Sequence, residues 1–313
     1  MSERQTLSFL SRRFEQFGLQ PKTKYGQNFL IDLNLLDMLH TTAQLDDRDV
    51  VLEVGTGLGS LTTRMAPRSH WIVTIEIDSQ LEQMAHQELR DFPNVTVLNC
   101  DALRNKNHLR EEILDEVRLR MRQIPNARFK LVANLPYNVA TPIISNLLTI
   151  DPRPERMVVT IQRELAERIV AVPSTKDYSA LSIWIQSQCE CRIVRLMPPS
   201  VFWPRPNVDS AILEIVPKAE LRSRIEDLGF FHEKLRALFF HRRKFIRSQI
   251  AIAFQDDLSK PQVDMILASL SIDSNVRAEQ LSVEQIIILL EACRQACIAS
   301  EQMINQNRDK NLS

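Results

Sequence analysis

The chain has 313 residues, 44% of them hydrophobic and 25% charged, and its net charge is zero. This is ordinary globular composition, long enough for one large core and a smaller second domain. It contains no apolar run near the roughly 20 residues of a membrane span, and its neutral charge makes no overall case for a nucleic-acid partner, which has to be argued from local patches.

Residues 1–24 read as an N-terminal helical arm. Leu7, Phe9, Leu10, Phe14 and Phe17 fall at helical spacing, and Gly18 and Pro21 end the helix. Its first residues lack the apolar core of a secretion signal, so a cytoplasmic location is expected. After an ordered turn at 25–30 comes a helix over about 34–45. Strands are predicted at 50–54, 71–77, 95–100, 129–133 and 156–162. Helices alternate with them at 58–66, 80–89, 107–124, 142–149, 164–171 and 178–188. Alternation of this kind makes an α/β fold, a mostly parallel sheet with helices on both faces. Closing strands at 192–197 and 211–216 lack a long crossover and suit an antiparallel edge. Beyond Pro217 only helices are predicted, at 231–254, 261–269 and 283–300. The expected domains are the arm (1–24), a sheet domain (25–217), a small helical domain (218–304) and a flexible polar tail (305–313). The five cysteines are an odd number without zinc spacing, so they read as reduced packing residues and no metal is expected.

Three of the six glycines, Gly55, Gly57 and Gly59, fall within five residues directly after the first long strand. Glycine there lets the backbone turn sharply and approach a ligand closely. A nicotinamide fingerprint needs glycine or alanine at position 60, where Ser60 stands. The spacing fits the nucleoside loop of S-adenosylmethionine enzymes better. Glu76 ends the second strand, where an acid accepts from both ribose hydroxyls. Asp101 ends the third, where a carboxylate accepts from an adenine amine. Plainer alternatives are a solvated strand-end acid and a helix N-cap. Asn134 ends the fourth, so four consecutive strand ends converge on one crevice, and S-adenosylmethionine is the expected cofactor.

Asn134-Leu135-Pro136-Tyr137 is the loop around which these ends are organised. Pro136 cannot donate to a sheet ladder, so the strand stops there. What remains is one carboxamide, one carbonyl outside the ladder and one aromatic ring. Those groups are what holding a planar base with an exocyclic amine requires. Taken alone, the loop also reads as a polar turn closed by a packed tyrosine.

Further stretches run in the same order through the chain. They are Gly26-Gln27-Asn28-Phe29-Leu30, Pro198-Pro199-Ser200-Val201-Phe202-Trp203-Pro204, Phe240-His241-Arg242-Arg243-Lys244 and Arg277-Ala278-Glu279-Gln280-Leu281. With the glycine loop, Glu76, Asp101 and the Asn134 loop, they make a chain that resembles the rRNA adenine N6-dimethyltransferase family. The resemblance implies a Rossmann-like class I S-adenosylmethionine-dependent methyltransferase sheet with a small C-terminal helical domain. It implies dimethylation of N6 on two adjacent adenosines, in a hairpin loop near the 3′ end of 16S rRNA. The expected partner is small-subunit rRNA within an assembling 30S particle, and the enzyme is expected to act as a monomer. Cofactor contacts carry over onto Asn28, Leu30, Gly55, Gly57, Glu76, Asp101 and Asn134. The Asn134 side-chain oxygen and the Leu135 carbonyl would each accept one N–H of the amine. Pro136 would shape the loop, Tyr137 would stack on the base, and Phe202 is a candidate for its other face, with core packing as the alternative. The chain departs from the family in Thr56, where proline is usual, in Cys100, where glycine is usual, and in a longer stretch at 104–128.

Between residues 234 and 249 stand Lys234, Arg236, Arg242, Arg243, Lys244 and Arg247 without an acid. On one continuous helix, 236, 240, 243, 244 and 247 share a face, which would neutralise phosphates. Arg236, Arg242, Arg243, Lys244 and Arg247 are the expected RNA contacts. Phe239, Phe240, Phe245 and Ile246 are expected to pack inside. Arg12, Arg13, Lys22 and Lys24 of the arm are candidate additional contacts. Rival readings are a large-subunit rRNA adenine methylase of the antibiotic-resistance type and a non-catalytic RNA-binding factor on the same fold.

Overall fold

A computed structural model describes residues 7–22, 25–106, 108–241 and 243–310. In chain order the elements are α1 (Leu7–Gln16), β1 (Phe29–Leu30), α2 (Leu33–Ala43), β2 (Asp49–Val54), α3 (Thr62–Met65), β3 (Trp71–Glu76), α4 (Ser79–Leu89), β4 (Val95–Asn99), β5 (Leu103–Asn105), β6 (His108–Leu109), α5 (Glu111–Met121), β7 (Arg128–Asn134) and α6 (Ala140–Leu147). There follow β8 (Arg156–Gln162), α7 (Arg163–Ile169), α8 (Ala180–Gln186), β9 (Cys189–Met197), β10 (Phe202–Trp203), β11 (Ser210–Pro217), α9 (Ala219–Arg222), α10 (Leu228–Phe240), α11 (Ile246–Ala253), α12 (Lys260–Ser269) and α13 (Val283–Lys310). They form two compact units, residues 1–167 with 190–217, and residues 168–189 with 218–313.

In the first unit the sheet order is β4-β3-β2-β7-β8-β11-β9. β4, β3, β2, β7 and β8 run parallel to one another, and β11 runs antiparallel to β8. β2 is buried along its whole length, as a strand covered on both faces must be, and its sequence is accordingly apolar except at Asp49 and Glu53. The Asp32 side chain caps α2 by accepting from Asn34 N and Leu35 N. Leu35, Leu36 and Leu39 of that helix pack against Val51, Val132 and Val158 of three adjacent strands. The arm is part of this unit: Phe9, Leu10 and Phe14 of α1 share a core with Leu58, Leu81 and Met84. The long helix expected at 107–124 is shorter, because a β5–β6 hairpin occupies its beginning; Asn107 lies outside the described residues.

The second unit departs from the expected boundaries. Residues 168–189, expected in the sheet domain, belong with the C-terminal helices. Tyr178 is fully buried there, its hydroxyl donating to Leu281 O. The tail expected to be flexible from 305 continues α13 to Lys310. The helix expected at 231–254 is broken at His241, which leaves the helical region at φ −109°, ψ 62°. Gln249 holds the break: its Nε2 donates to His241 O at 3.0 Å and its Oε1 accepts from Ala278 N at 3.3 Å. Ile246 N donates to Val276 O at 2.7 Å. Because Gln249 is 2% exposed, a Gln249→Leu variant leaves the buried Ala278 N–H unpaired and takes a donor from the His241 carbonyl. It is expected to lose about 1–3 kcal/mol of stability, measured by denaturant unfolding.

Candidate functional site

The strand order reverses between β2 and β7, since the chain leaves β2 toward β3 and β4 but leaves β7 toward β8. A crevice opens beyond the carboxyl ends of two parallel strands at such a point. The loop after β2 is anchored to β3, with Gly55 N and Thr56 N both donating to Ile75 O, at 2.9 and 3.1 Å. Gly55 has φ +92°, and a Cβ there would lie 3.5 Å from Pro136 Cδ, so the glycine loop and the Asn134 loop face each other about a methyl's width apart. Gly57 has φ +55°, and a Cβ there would meet the Phe29 ring at 3.1 Å. Gly59 instead makes room for Leu89 of α4.

Two buried carboxyls face this crevice. Glu76, at the end of β3, accepts from Gly57 N at 2.9 Å and from Asp78 N at 3.0 Å. Each of its oxygens keeps a lone pair for a ligand hydroxyl. Burial pushes its pKa up to about 7, opposed by these backbone bonds and assisted by the charge of Asp78. Glu53, on β2, accepts from Thr62 Oγ1 at 2.6 Å and from Thr74 Oγ1 at 2.8 Å through one oxygen. Burial pushes it up to about 8, against the two threonine bonds. Thr56, where the family usually has proline, bonds the Thr74 hydroxyl at 2.7 Å and so ties the glycine loop to Glu53.

The Asn134 loop is oriented by the turn at 25–30. Asn134 Nδ2 donates to Asn28 O at 2.8 Å. A carbonyl only accepts, so the nitrogen end of the carboxamide faces Asn28 and Oδ1 is left for a ligand donor. Leu135 N donates to Thr160 O at 3.2 Å, while its carbonyl lies past the end of β7. The Tyr137 hydroxyl bonds Ser210 Oγ at 2.6 Å, which fixes the ring, and burial raises its pKa.

Together these groups wall a cleft of about 340 Å³, within the range of sites for nucleoside-sized ligands. Asn28, Leu30, Gly55, Gly57, Glu76, Asp101 and Asn134 all line it, as do Leu135, Pro136 and Tyr137. One Asp101 oxygen is taken by Leu103 N at 2.9 Å. The residues fit S-adenosylmethionine: a backbone cradle that favours glycine at 57, and a buried acid with acceptor capacity left over. Phe202 is 3% exposed and packs in the core, as the alternative reading of it had it, because β10 pairs with β1 and sets it opposite Leu30; it is not among the residues that line the cleft. Among the wall residues to which the sequence assigned no role are Phe29, Glu53 and Ile77. Glu53 carried a signal, as an acid inside the apolar run Val50-Val51-Leu52-Glu53-Val54.

The basic stretch of the second unit is also corrected. With the helix broken, residues 236, 240, 243, 244 and 247 do not share a face. Arg247 is held by Asp264 in a two-pronged pair, with Nη2 2.7 Å from Oδ2. Lys234 bonds Ala253 O and Asp257 and lies over the Phe254 ring. Arg242 lies outside the described residues. Arg236, Arg243 and Lys244 are exposed. Phe239 and Ile246 are packed as expected, but Phe240 is 80% and Phe245 50% exposed, on either side of the turn. In the arm, Arg13 pairs with Glu88 at 2.6 Å and Lys22 with Asp78 at 2.8 Å; Arg12 is exposed, and Lys24 lies outside the described residues.

Both buried acids keep their protons in the folded state at pH values where the unfolded chain has released them. Their contribution is therefore fully present below the ordinary glutamate pKa and is lost as pH rises through about 7 and about 8. The thermal midpoint of the ligand-free protein is expected to fall as pH is raised from about 5 to about 8. Glu53→Gln should remove a large part of that slope, as read by calorimetry across the range.

A model of the ribosomal RNA adenine dimethylase family matches residues 18–295. The chain is 38% identical over 283 residues to ribosomal RNA small subunit methyltransferase A of Lactiplantibacillus plantarum, covering 90% of this chain and 92% of that one. It is 35% identical over 275 residues to the protein of the same name from Halothermothrix orenii, covering 88% of each. Among solved structures, a dimethyladenosine transferase from Plasmodium falciparum aligns with TM-score 0.71 at 24% identity, over 85% of this chain and 97% of that one, and shares the fold. The 23S rRNA methyltransferase ErmE aligns with TM-score 0.61 at 25% identity, over 85% of this chain and 99% of that one. The glycine loop, the strand-end acids and the Asn134 loop thus stand in a chain that belongs to the ribosomal RNA adenine dimethylase family.

Proposed function

We propose that this protein uses S-adenosylmethionine to dimethylate N6 of two adjacent adenosines in small-subunit rRNA, in a hairpin loop near the 3′ end of the 16S molecule. It would act as a monomer on the assembling 30S particle. The observation that carries this reading is the Asn134 carboxamide, whose nitrogen is held by Asn28 O so that its oxygen is presented to the cleft. S-adenosylmethionine, when bound, supplies an electrophilic sulfonium methyl.

The chain's own residues hold both partners of the transfer. Glu76 accepts from the ribose hydroxyls and Asp101 from the adenine amine of the donor, while Gly55 and Gly57 let the backbone come close. The target adenine's amine is a poor nucleophile because its lone pair is delocalised into the ring. Asn134 Oδ1 and Leu135 O each accept one of its N–H groups. Two acceptors so placed favour a pyramidal nitrogen and stabilise the positive charge that develops on it. Tyr137, anchored by Ser210, stacks on the extruded base. Close positioning supplies much of the remaining acceleration, and the loop contains no general base. In the helical unit, Arg236, Arg243 and Lys244 would neutralise phosphates, and the exposed Phe240 and Phe245 would stack on unpaired bases.

Labelled S-adenosylmethionine offered to unmethylated small subunits should mark two adjacent adenosines. Label appearing in large-subunit RNA instead would favour the resistance-type methylase, and none in either the non-catalytic factor. Asn134→Ala is expected to slow the first transfer by about 10²- to 10³-fold. Because N6-methyladenine retains one N–H, the second transfer should slow by a different factor. Equal slowing of both steps, resolved by single-turnover kinetics, would contradict the two-acceptor account.

A further inference from the structure

We infer that the N-terminal arm is a clamp on the methyl-donor site, with Lys22 as a positioning residue that acts on Glu76 through Asp78. This presupposes the donor site proposed above. The arm reaches that site by a polar route and an apolar one.

The polar route begins at Lys22, whose Nζ lies 2.8 Å from Asp78 Oδ2 and 3.0 Å from Gln80 Oε1. Gln27 adds a second tie: its Oε1 accepts from Lys22 N at 2.6 Å and its Nε2 donates to Asp78 Oδ2 at 3.3 Å. Asp78 is 5% exposed. Its other oxygen caps α4 through Gln80 N at 3.1 Å, and its own N–H holds Glu76 Oε1 at 3.0 Å. Burial raises the Asp78 pKa, but the bonds from Lys22, Gln80 N and Gln27 outweigh it, and the net shift is downward. Asp78 is thus a buried anion next to the ribose acid, with Lys22 as a cation against it. The titratable groups that act on Glu76 are Asp78, the N-cap of α4, Glu53 on β2 and, through Asp78, Lys22; Asp101, after β4, lines the same cleft.

The apolar route runs through Phe14 of α1, which is 3% exposed. Its ring meets Phe29 edge-on at 5.4 Å and Trp203 at 5.0 Å. Phe29 in turn lines the cleft and lies against Gly57. The arm therefore braces both the loop that cradles the donor and the acid that holds its ribose. Its cations Arg13 and Lys22 are used within the fold.

Without Lys22, the Asp78 charge acts on Glu76 unopposed, so Glu76 keeps its proton to higher pH and accepts ribose hydroxyls less well. The test is binding of S-adenosylmethionine to the full chain by calorimetry, without RNA, across pH, for wild type, Lys22→Ala and Lys22→Arg. Lys22→Ala is expected to weaken binding about five- to tenfold and to move the pH midpoint of binding upward, with Lys22→Arg restoring both. In turnover, KM for the donor should rise while kcat at saturating donor changes little. Phe14→Leu, checked by thermal melting, should weaken binding without the change in pH midpoint. Lys22→Ala binding as wild type at every pH overturns the clamp, and so does Lys22→Arg binding as poorly as Lys22→Ala. Absence of binding by wild type itself removes the donor site and the clamp with it, an outcome distinct from the other two.

Discussion

The molecule depends on the divergence of two parallel neighbours. β2 and β7 lie side by side, but the chain leaves them in opposite directions, so no crossover covers the space beyond their carboxyl ends. Each strand delivers one loop to that space. The loop after β2 turns on glycines with positive φ, and the loop after β7 ends on a proline that stops the ladder. Gly55 faces Pro136 there, with room for little more than a methyl group between them, which brings the glycine loop and the Asn134 loop together.

Polarity in this crevice is set by pairing each buried group with a local partner. Glu76 is held by backbone N–H groups and Glu53 by threonine hydroxyls. A desolvated carboxylate is costly, and burial accordingly pushes both acids up toward neutrality. The turn at 25–30 serves both halves of the site, since Asn28 orients Asn134 and Gln27 ties Asp78.

The helical unit follows a different logic. A run of six cations in 16 residues suggests one basic face, yet buried Gln249 stops the helix and turns the stretch into two helices and a corner. Arg247 and Lys234 are consumed by Asp264 and Asp257, which lie far along the sequence. The corner instead presents Arg243 and Lys244 between two exposed phenylalanines. Sequence spacing could not reveal these pairings, because they join residues that only the packing of α11 against α12 and of α10 against α11 brings near.

Alternation of apolar strands and amphipathic helices was enough to specify an α/β sheet, because each period reflects one buried face. Strand-end positions were enough to nominate Gly55, Gly57, Glu76, Asp101 and Asn134, because chemistry in such a sheet collects where strands stop. Tertiary structure alone decided which way the Asn134 carboxamide points, since its partner Asn28 lies 106 residues away. It likewise decided that Phe202 packs in the core, since the β1–β10 register places it there. And it decided that the arm's Lys22 answers Asp78 rather than solvent. Local patterns report what each residue prefers, while hydrogen bonds and ion pairs between distant segments depend on which strands become neighbours.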